Sequence, residues 1–244
     1  MPKLYNQEVS AANTASNFSF TAARPDTLGS SEYTLVSIAL DRSGSVDNFR
    51  HELVRAYQEI IGACRKNPRA ENILVRASAF NGSLAEHHGF INLDAINEAK
   101  FDLNPQGGTA LYDAALEAIE SVQAYGEQLS SLDFLVNSLI VIVTDGAENS
   151  SRTANPVKIK ATLDNIRKGE GMESIKVILI GLGEDGNIAQ YLEGFSKESG
   201  FDQFVHIKNT DAKGIAKMAS FISKSISSSS QALGTSGPSV NLSI

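Results

Sequence analysis

Three short segments of this 244-residue chain carry side-chain oxygens at a spacing that could form one binding site. The first segment, ALDRSGSVD, places Asp41, Ser43 and Ser45 at alternate positions around a glycine. One carboxylate and two hydroxyls at that spacing can converge on one point, because glycine lets the backbone bend tightly. The second segment, NPQGGTALYDAA, offers the hydroxyl of Thr109 after two glycines, and the third, VIVTDGAENS, offers the carboxylate of Asp145.

These five side chains provide oxygen atoms alone, as two carboxylates and three hydroxyls. Such a set suits a hard divalent cation, Mg²⁺, Mn²⁺ or Ca²⁺, and suits Zn²⁺ or Cu²⁺ poorly. Two carboxylates balance the charge of one divalent ion, and neutral hydroxyls leave the ion able to accept an acidic ligand from outside. The sequence therefore predicts a site for one divalent cation, with Mg²⁺ as the best fit, formed by Asp41, Ser43, Ser45, Thr109 and Asp145.

Alternating strand and helix patterns surround these segments. Apolar runs predict strands at 33–40, 72–80, 84–91, 134–144, 174–180 and 203–207, and helical spacing predicts helices at 48–65, 109–125, 156–168, 187–199 and 211–225. This alternation predicts an α/β fold: a doubly wound, Rossmann-like three-layer α/β/α sandwich with a mostly parallel central sheet and one antiparallel edge strand. Ligands bind to such sheets beyond the carboxyl ends of the strands, which is where the three segments fall.

Composition divides the chain into three parts. Residues 1–32 are polar and rich in Ser, Ala and Asn, which predicts an N-terminal arm or a short added strand. Residues 33–226 carry the strand–helix pattern and form the predicted domain. The Ser-rich residues 227–244 have too little apolar surface to fold alone, so we expect a flexible tail.

Charge and composition exclude several classes of function. The net charge of −7 argues against nucleic-acid binding, which needs a basic face. The single cysteine, Cys64, cannot form an internal disulfide and fits a buried apolar position. No apolar run is long enough to span a bilayer and no secretory signal is visible, so we expect a cytoplasmic protein without a membrane partner.

The three segments together resemble the metal-ion-dependent adhesion site (MIDAS) of von Willebrand factor A (vWA) domains. The resemblance rests on D-x-S-x-S at 41–45, on Gly-Gly-Thr ending at Thr109 and on Thr-Asp-Gly around Asp145. It covers roughly residues 33–225 in order and spacing. The domain at 33–226 is therefore expected to be a vWA domain with an intact MIDAS.

The resemblance also implies roles for the five residues. It implies that Ser43, Ser45 and Thr109 ligate the cation directly or nearly so, while Asp41 and Asp145 act largely through water. It implies further that a Glu or Asp of a partner protein completes the coordination. The predicted function is then a metal-dependent protein–protein interaction module that is not an enzyme.

The cytosolic form expected here is similar to the intracellular vWA proteins of bacteria and phages. By analogy with those proteins, the partner is expected to be an AAA+ ATPase, a kinase or a phosphatase. The chain itself is then expected to be an adaptor or a regulatory subunit of a multiprotein system.

Two other functions are less well supported by the residues. A metal-dependent phosphohydrolase-like enzyme would use Asp41 as nucleophile, but Ser43 stands where the haloacid-dehalogenase pattern needs a second Asp. Asp145 and Glu148 would be its candidate bases. A dinucleotide-binding loop at 181–186, GLGEDG, would bring its own acids against a pyrophosphate, so a Gly-rich turn is the better interpretation.

Several polar residues near these segments have a structural and a functional interpretation. Asp113 could support the site or simply favour the first turn of its helix. Glu148 and Asn149 could tune the rim of the site or form an exposed loop. His87 and His88 are expected in a solvated turn, because adjacent strand residues face opposite sides and cannot easily share a metal.

Overall fold

The computed structural model describes residues 8–169, 171–235 and 242, which form one sheet covered by helices. The strands are β1 (Val9–Asn13), β2 (Ser19–Ala23), β3 (Glu32–Asp41), β4 (Ile73–Phe80), β5 (Leu84–Asn92), β6 (Leu135–Thr144), β7 (Ser174–Leu182) and β8 (Gln203–Ile207). The α-helices are α1 (Arg50–Cys64), α2 (Leu111–Ser130), α3 (Pro156–Lys168), α4 (Gly186–Glu198) and α5 (Ala212–Thr235). Each predicted strand and helix is present, and most ends fall within a few residues of the prediction.

The sheet has the order β1-β2-β5-β4-β3-β6-β7-β8. Strands β4, β3, β6, β7 and β8 run parallel, and β5 runs antiparallel to β4. The mostly parallel sheet with an antiparallel strand towards one side is therefore confirmed. From β3 the chain first crosses to β4 on one side and later to β6 on the other. The carboxyl ends of β3 and β6 thus border the crevice in which doubly wound sheets bind ligands.

Helices cover both faces of this sheet. Val36, Ile38 and Leu40 of β3 point into the layer formed with α1 and α5. Leu35 and Ala39 of the same strand point into the layer formed with α2, α3 and α4. Since successive side chains of a strand alternate between faces, a strand buried on both sides must be apolar at nearly every position. The three-layer α/β/α sandwich is confirmed.

The N-terminal segment adds a hairpin to the sheet. Strands β1 and β2 pair antiparallel, and β2 meets β5 where Ala22 lies opposite Phe90. The ring of Phe20 stands edge-on to that of Phe90, with 6.2 Å between centroids. The sequence allows for one added strand in this segment, and the structure has two. The sequence VSAAN has too few bulky apolar residues to predict β1 as a strand. Residues 1–7 of the predicted arm lie outside the described part of the chain.

A buried ion-pair network fastens this hairpin to the sheet. The guanidinium of Arg76, on β4, donates to Glu117 of α2 at 2.5 Å and to Glu86 of β5 at 2.7 Å. Glu86 also accepts from the backbone N–H and the hydroxyl of Thr21, at 3.0 and 2.6 Å. Burial raises the pKa of the Glu117 carboxyl, and the Arg76 charge opposes that shift. The network thus links α2 to β4, β5 and β2. Losing one member would leave a buried charge uncompensated.

Helix α5 continues past the predicted boundary at residue 226. It runs to Thr235, so the prediction of a flexible tail from 227 is wrong for its first nine residues. Ser229 and Ser230 are buried, and the side-chain amide of Asn137 donates to the Ser229 carbonyl at 2.7 Å. Small serines let the C-terminal part of this helix approach polar side chains of the sheet, whereas its earlier turns pack through apolar residues such as Phe221 and Ile222. Apart from residue 242, the remainder of the predicted tail lies outside the described residues.

Across the ranges just given, no helix combines the length and the apolar character needed to cross a bilayer.

The junction of the hairpin with the sheet can be tested at Gly89. A Cβ atom there would lie 1.9 Å from the carbonyl oxygen of Thr21. We expect Gly89→Ala to push β2 away from β5 and to lower the free energy of unfolding by about 2–3 kcal/mol, as overpacking does. Urea denaturation would measure this loss, and hydrogen exchange should show weaker protection of the amides of β2.

The matched control is Gly62→Ala in α1, where no atom lies within 4 Å of the new Cβ. Alanine is favoured over glycine inside a helix, so this variant should gain about 0.5–1 kcal/mol. Equal stabilities of the two variants would contradict the described packing of β2 on β5.

Candidate metal centre

The candidate centre lies at the carboxyl ends of β3 and β6. Asp41 is the last residue of β3, and Asp145 directly follows the last residue of β6. In the loop after β3, the hydroxyls of Ser43 and Ser45 lie 3.1 Å apart. The Ser45 hydroxyl donates to the Asp145 carboxylate at 2.7 Å. These contacts join the loop after β3 to the loop after β6.

Thr109 is brought to the same point by the loop that precedes α2. A Cβ atom at Gly146 would lie 3.4 Å from the Thr109 hydroxyl, so this hydroxyl lies against the backbone that follows Asp145. The N–H of Gly44 donates to the carbonyl of Gly107 at 3.2 Å, and Gly107 has a φ of +74°. Glycine suits this left-handed conformation. The structure thus brings all five predicted ligands together at the carboxyl ends of β3 and β6.

Asp41 is the most deeply buried carboxylate of the candidate centre, with 1% of its surface exposed. One oxygen accepts from the backbone N–H of Ser43 and the other from the hydroxyl of Thr144, both at 2.6 Å. Burial raises the pKa of Asp41 to about 6, because desolvation of the charged form outweighs these hydrogen bonds. Burial also raises the pKa of Asp145. A bound cation would offset both desolvation costs.

The five residues form a buried base and an accessible rim. Asp41, Ser43 and Thr109 are 1%, 3% and 3% exposed, whereas Ser45 is exposed and Asp145 is partly exposed. An ion held by the buried residues would therefore be reached from outside past the other two. Within the described ranges no group of three or more His, Cys, Asp or Glu could hold a metal. A cation here depends on the three hydroxyls as well as on the two carboxylates, and this donor set fits a hard divalent ion.

The loop after β6 is fixed by Glu148, which points back to the start of α2. Both carboxylate oxygens of Glu148 accept hydrogen bonds, with donor distances between 2.5 and 2.9 Å. The donors are the backbone N–H groups of Tyr112, Ser150 and Ser151 and the hydroxyl of Ser151. A carboxylate with this many local donors is held in place and is poorly available as a general base.

Asp113 and Asn149 complete the connection between this loop and α2. The carboxylate of Asp113 accepts from the backbone N–H groups of residues 152, 153 and 154 at 2.8–2.9 Å. The side-chain oxygen of Asn149 accepts from the backbone N–H of Thr109 at 2.8 Å, and the backbone N–H of Asn149 donates to the Thr109 carbonyl at 3.0 Å. A Cβ atom at Gly108 would lie only 2.4 Å from the Asn149 side-chain oxygen. These contacts fix the position of Thr109, and Asp113 supports the centre from a distance.

The Gly-rich loop after β7 offers no comparable site for a phosphate. The carboxylate of Asp185 accepts from the N–H groups of Asn187 and Ile188, at 2.8 and 3.4 Å. It therefore occupies the first turn of α4, where a pyrophosphate would bind in a dinucleotide fold. This observation supports the interpretation of GLGEDG as a turn.

The prediction of a solvated turn at His87 and His88 is wrong, because both residues belong to β5. Ala77 pairs with His88 and Ser78 pairs with Glu86, so His87 is an extra residue in a β-bulge. The bulge directs both rings to one side. His88 contacts the Tyr57 hydroxyl at 2.5 Å, and His87 lies on Phe101 with 4.4 Å between ring centroids.

Comparisons with known proteins were made on sequence and on structure. No family model matches the chain, and no curated protein matches it. Among solved structures, the PilB minor pilin from Streptococcus sanguinis aligns with a TM-score of 0.56 and 19% identity, over 91% of this chain and 67% of the pilin. Proximal thread matrix protein 1 from the mussel byssus, with a zinc-occupied MIDAS motif, aligns with a TM-score of 0.51 and 15% identity, over 81% and 46%.

The ArnB paralog VWA2 from Sulfolobus acidocaldarius gives a TM-score of 0.51 at 13% identity, over 89% of this chain and 54% of its own. At these identities the likeness concerns the fold alone, which is similar to that of the byssus protein and of VWA2. The chain spans less than two thirds of several of these proteins, including 66% of a variant of the pilin and 46% of the byssus protein.

The raised pKa of Asp41 gives stability a dependence on pH when no cation is bound. The folded chain holds the Asp41 proton more tightly than the unfolded chain, whose pKa is near the ordinary 3.8. The resulting stability is present below pH 3.8 and is lost as the pH rises through about 6. We expect about 2–3 kcal/mol to be lost between pH 4 and pH 7 in EDTA. Urea denaturation at each pH would measure it.

The matched variant is Asp41→Asn, which has the same shape and does not titrate. Its loss of stability between pH 4 and pH 7 should be smaller than that of the wild type by the same amount. Parallel curves for the two proteins would show that Asp41 titrates near its ordinary value.

The fixing of the loop by Glu148 can be tested with Glu148→Gln. The amide can accept fewer hydrogen bonds than the carboxylate, so several backbone N–H groups lose their acceptor. We expect a loss of about 1–3 kcal/mol. Hydrogen exchange should become faster at the N–H groups of Tyr112, Ser150 and Ser151. Glu184→Gln, at an exposed acid in the loop after β7, is the control, and an equal effect there would contradict the role given to Glu148.

Proposed function

We propose that the chain is a metal-dependent protein-binding module, in which one divalent cation binds an acidic residue of a partner protein. The observation that carries the proposal is the meeting of three loops around oxygen donors alone, with a buried carboxylate at the base. The residues that would hold the cation are Asp41, Ser43, Ser45, Thr109 and Asp145. The likeness of the fold to proteins with a MIDAS supports the proposal.

The candidate ligands would have different roles in such a site. Asp41 is oriented by two hydrogen bonds and supplies negative charge at the base. Ser43, Ser45 and Thr109 supply neutral oxygens, which hold a cation without cancelling its attraction for an acid. When bound, the cation supplies a positive, Lewis-acidic centre for the partner carboxylate. Without the cation, Asp41 and Asp145 would repel that carboxylate, so binding is switched by the metal.

We propose Mg²⁺ as the preferred cation, with Mn²⁺ and Ca²⁺ as alternatives. The support is the donor set, which lacks the nitrogen and sulfur ligands that Zn²⁺ favours. The byssus protein holds zinc at its own MIDAS, so zinc is included below as a competitor.

The site is suited to binding without catalysis. Ser43 stands where a second carboxylate would be needed for proton transfer, and it contacts Ser45 instead. Glu148, the other acid of the loop, is held by backbone and hydroxyl donors. A module that binds its partner only when the cation is bound would suit an adaptor or a regulatory subunit.

The test is cation binding by the wild type and by Asp41→Ala. Isothermal titration should show one Mg²⁺ site in the wild type and none in Asp41→Ala. Zn²⁺ should displace the bound Mg²⁺ poorly. A cation at 100 times its Kd should stabilise the wild type by about 2.7 kcal/mol. Asp47→Ala is the matched control, because Asp47 lies nearby in the sequence but is exposed and pairs with Arg50.

Partner binding is tested on the same three proteins. Acidic peptides or captured proteins should bind the wild type and Asp47→Ala in Mg²⁺, and neither protein in EDTA. Binding that persists in EDTA, or in Asp41→Ala, would show that another surface carries the function.

A further inference from the structure

Arg42 lies between two of the proposed ligands, Asp41 and Ser43, and its backbone is fixed on both sides. Its N–H donates to the carbonyl of Phe80 at 2.7 Å, and its carbonyl accepts from the N–H of Gln106 at 2.9 Å. The side chain of Arg42 therefore starts from a defined point at the edge of the candidate centre. The residue is partly exposed.

The guanidinium of Arg42 has no counter-ion in the described part of the chain. No carboxylate there lies within ion-pair distance, whereas the neighbouring Arg50 pairs with Asp47 and the buried Arg76 pairs with Glu117. The Nε atom of Arg42 is buried and has no hydrogen-bond partner among the described residues. A desolvated donor without an acceptor is unfavourable.

His87 and Asp102 are titratable groups near Arg42. The pKa of the nearby His87 is lowered first by desolvation and then by the Arg42 charge. Asp102 also acts on His87 but forms no ion pair with Arg42. Since Asp41 and Asp145 match the charge of a divalent ion, the Arg42 charge has no counterpart at this edge.

We propose that the partner presents two acidic groups to this edge, one bound to the cation and the second paired with Arg42. This inference rests on the proposed function and names the chemistry of the partner: an acidic segment with two neighbouring carboxylates. A planar guanidinium binds a carboxylate through two parallel hydrogen bonds, which a lysine cannot do. Arg42 is then a specificity-determining residue, and the cation supplies an attraction that any acid can use.

The test uses short peptides of defined composition in Mg²⁺. The one-acid probe is acetyl-GGEGGGGG-amide, and each two-acid probe replaces one later glycine with Glu, one to four residues after the first. On an extended peptide this range spans about 3–13 Å. We expect at least one two-acid peptide to bind the wild type about tenfold more tightly than the one-acid peptide, as measured by isothermal titration.

The variants separate a specific contact from a general effect of charge. Arg42→Gln should lose the tenfold preference and keep its affinity for Mg²⁺ and for the one-acid peptide. Arg42→Lys should keep only part of the preference, because its ammonium lacks the guanidinium fork. Arg152→Gln, at an exposed arginine of the loop after β6, is the matched control and should retain the preference.

Two results would overturn the inference while leaving the proposed function intact. One is equal affinity of the wild type for one-acid and two-acid peptides in Mg²⁺. The other is an equal weakening of both peptides by Arg42→Gln, which would place Arg42 against the same acid as the cation. A wild type that binds Mg²⁺ and no acidic peptide, or that binds no Mg²⁺, would overturn the proposed function and this inference with it.

Discussion

The burial of the Asp41 carboxylate is the constraint on which the candidate centre depends. A charge removed from water costs several kcal/mol, and two hydrogen bonds from Ser43 and Thr144 recover part of this. The remainder appears in the pKa of about 6. The position of Asp41 follows from the pairing of β3 with β6, because the register brings Thr144 beside the end of β3. The sheet therefore holds a poorly compensated carboxylate at the end of β3, where the candidate centre lies.

Residues outside the ligand set place the other donors around this charge. Glu148 and Asp113 together accept hydrogen bonds from the backbone of residues 150–154 and from the start of α2. These contacts replace the regular secondary structure that the loop after β6 lacks. Thr109 can then lie at a fixed distance from Asp145 although the two belong to different loops. A ligand set built on loops needs such supports, since a displacement of about 1 Å impairs binding.

The fold and the ligand positions follow largely from local patterns in the sequence, and the errors come from contacts that are distant in sequence. The run SLIVIVT predicts β6, because a buried parallel strand must be apolar on both faces. The burial of Ser229 depends on Asn137 across the sheet, and composition cannot show it. The bulge at His87 depends on the pairing of β5 with β4. The role of Asp113 was ambiguous because an acid in the first turn of a helix is favoured in any case.

The division between buried base and exposed rim bears on how such a site could distinguish its partners. Specificity is a difference between affinities, and a metal ion binds most carboxylates in much the same way. In the proposed function, the buried residues Asp41, Ser43 and Thr109 would face the cation and would not contact the partner beyond its first acid. Discrimination would then come from side chains around the buried base, and we propose that Arg42, which forms no ion pair within the described residues, is one of them. On this argument the ion supplies the strength of the contact, and the side chains around it decide which acidic surface is bound.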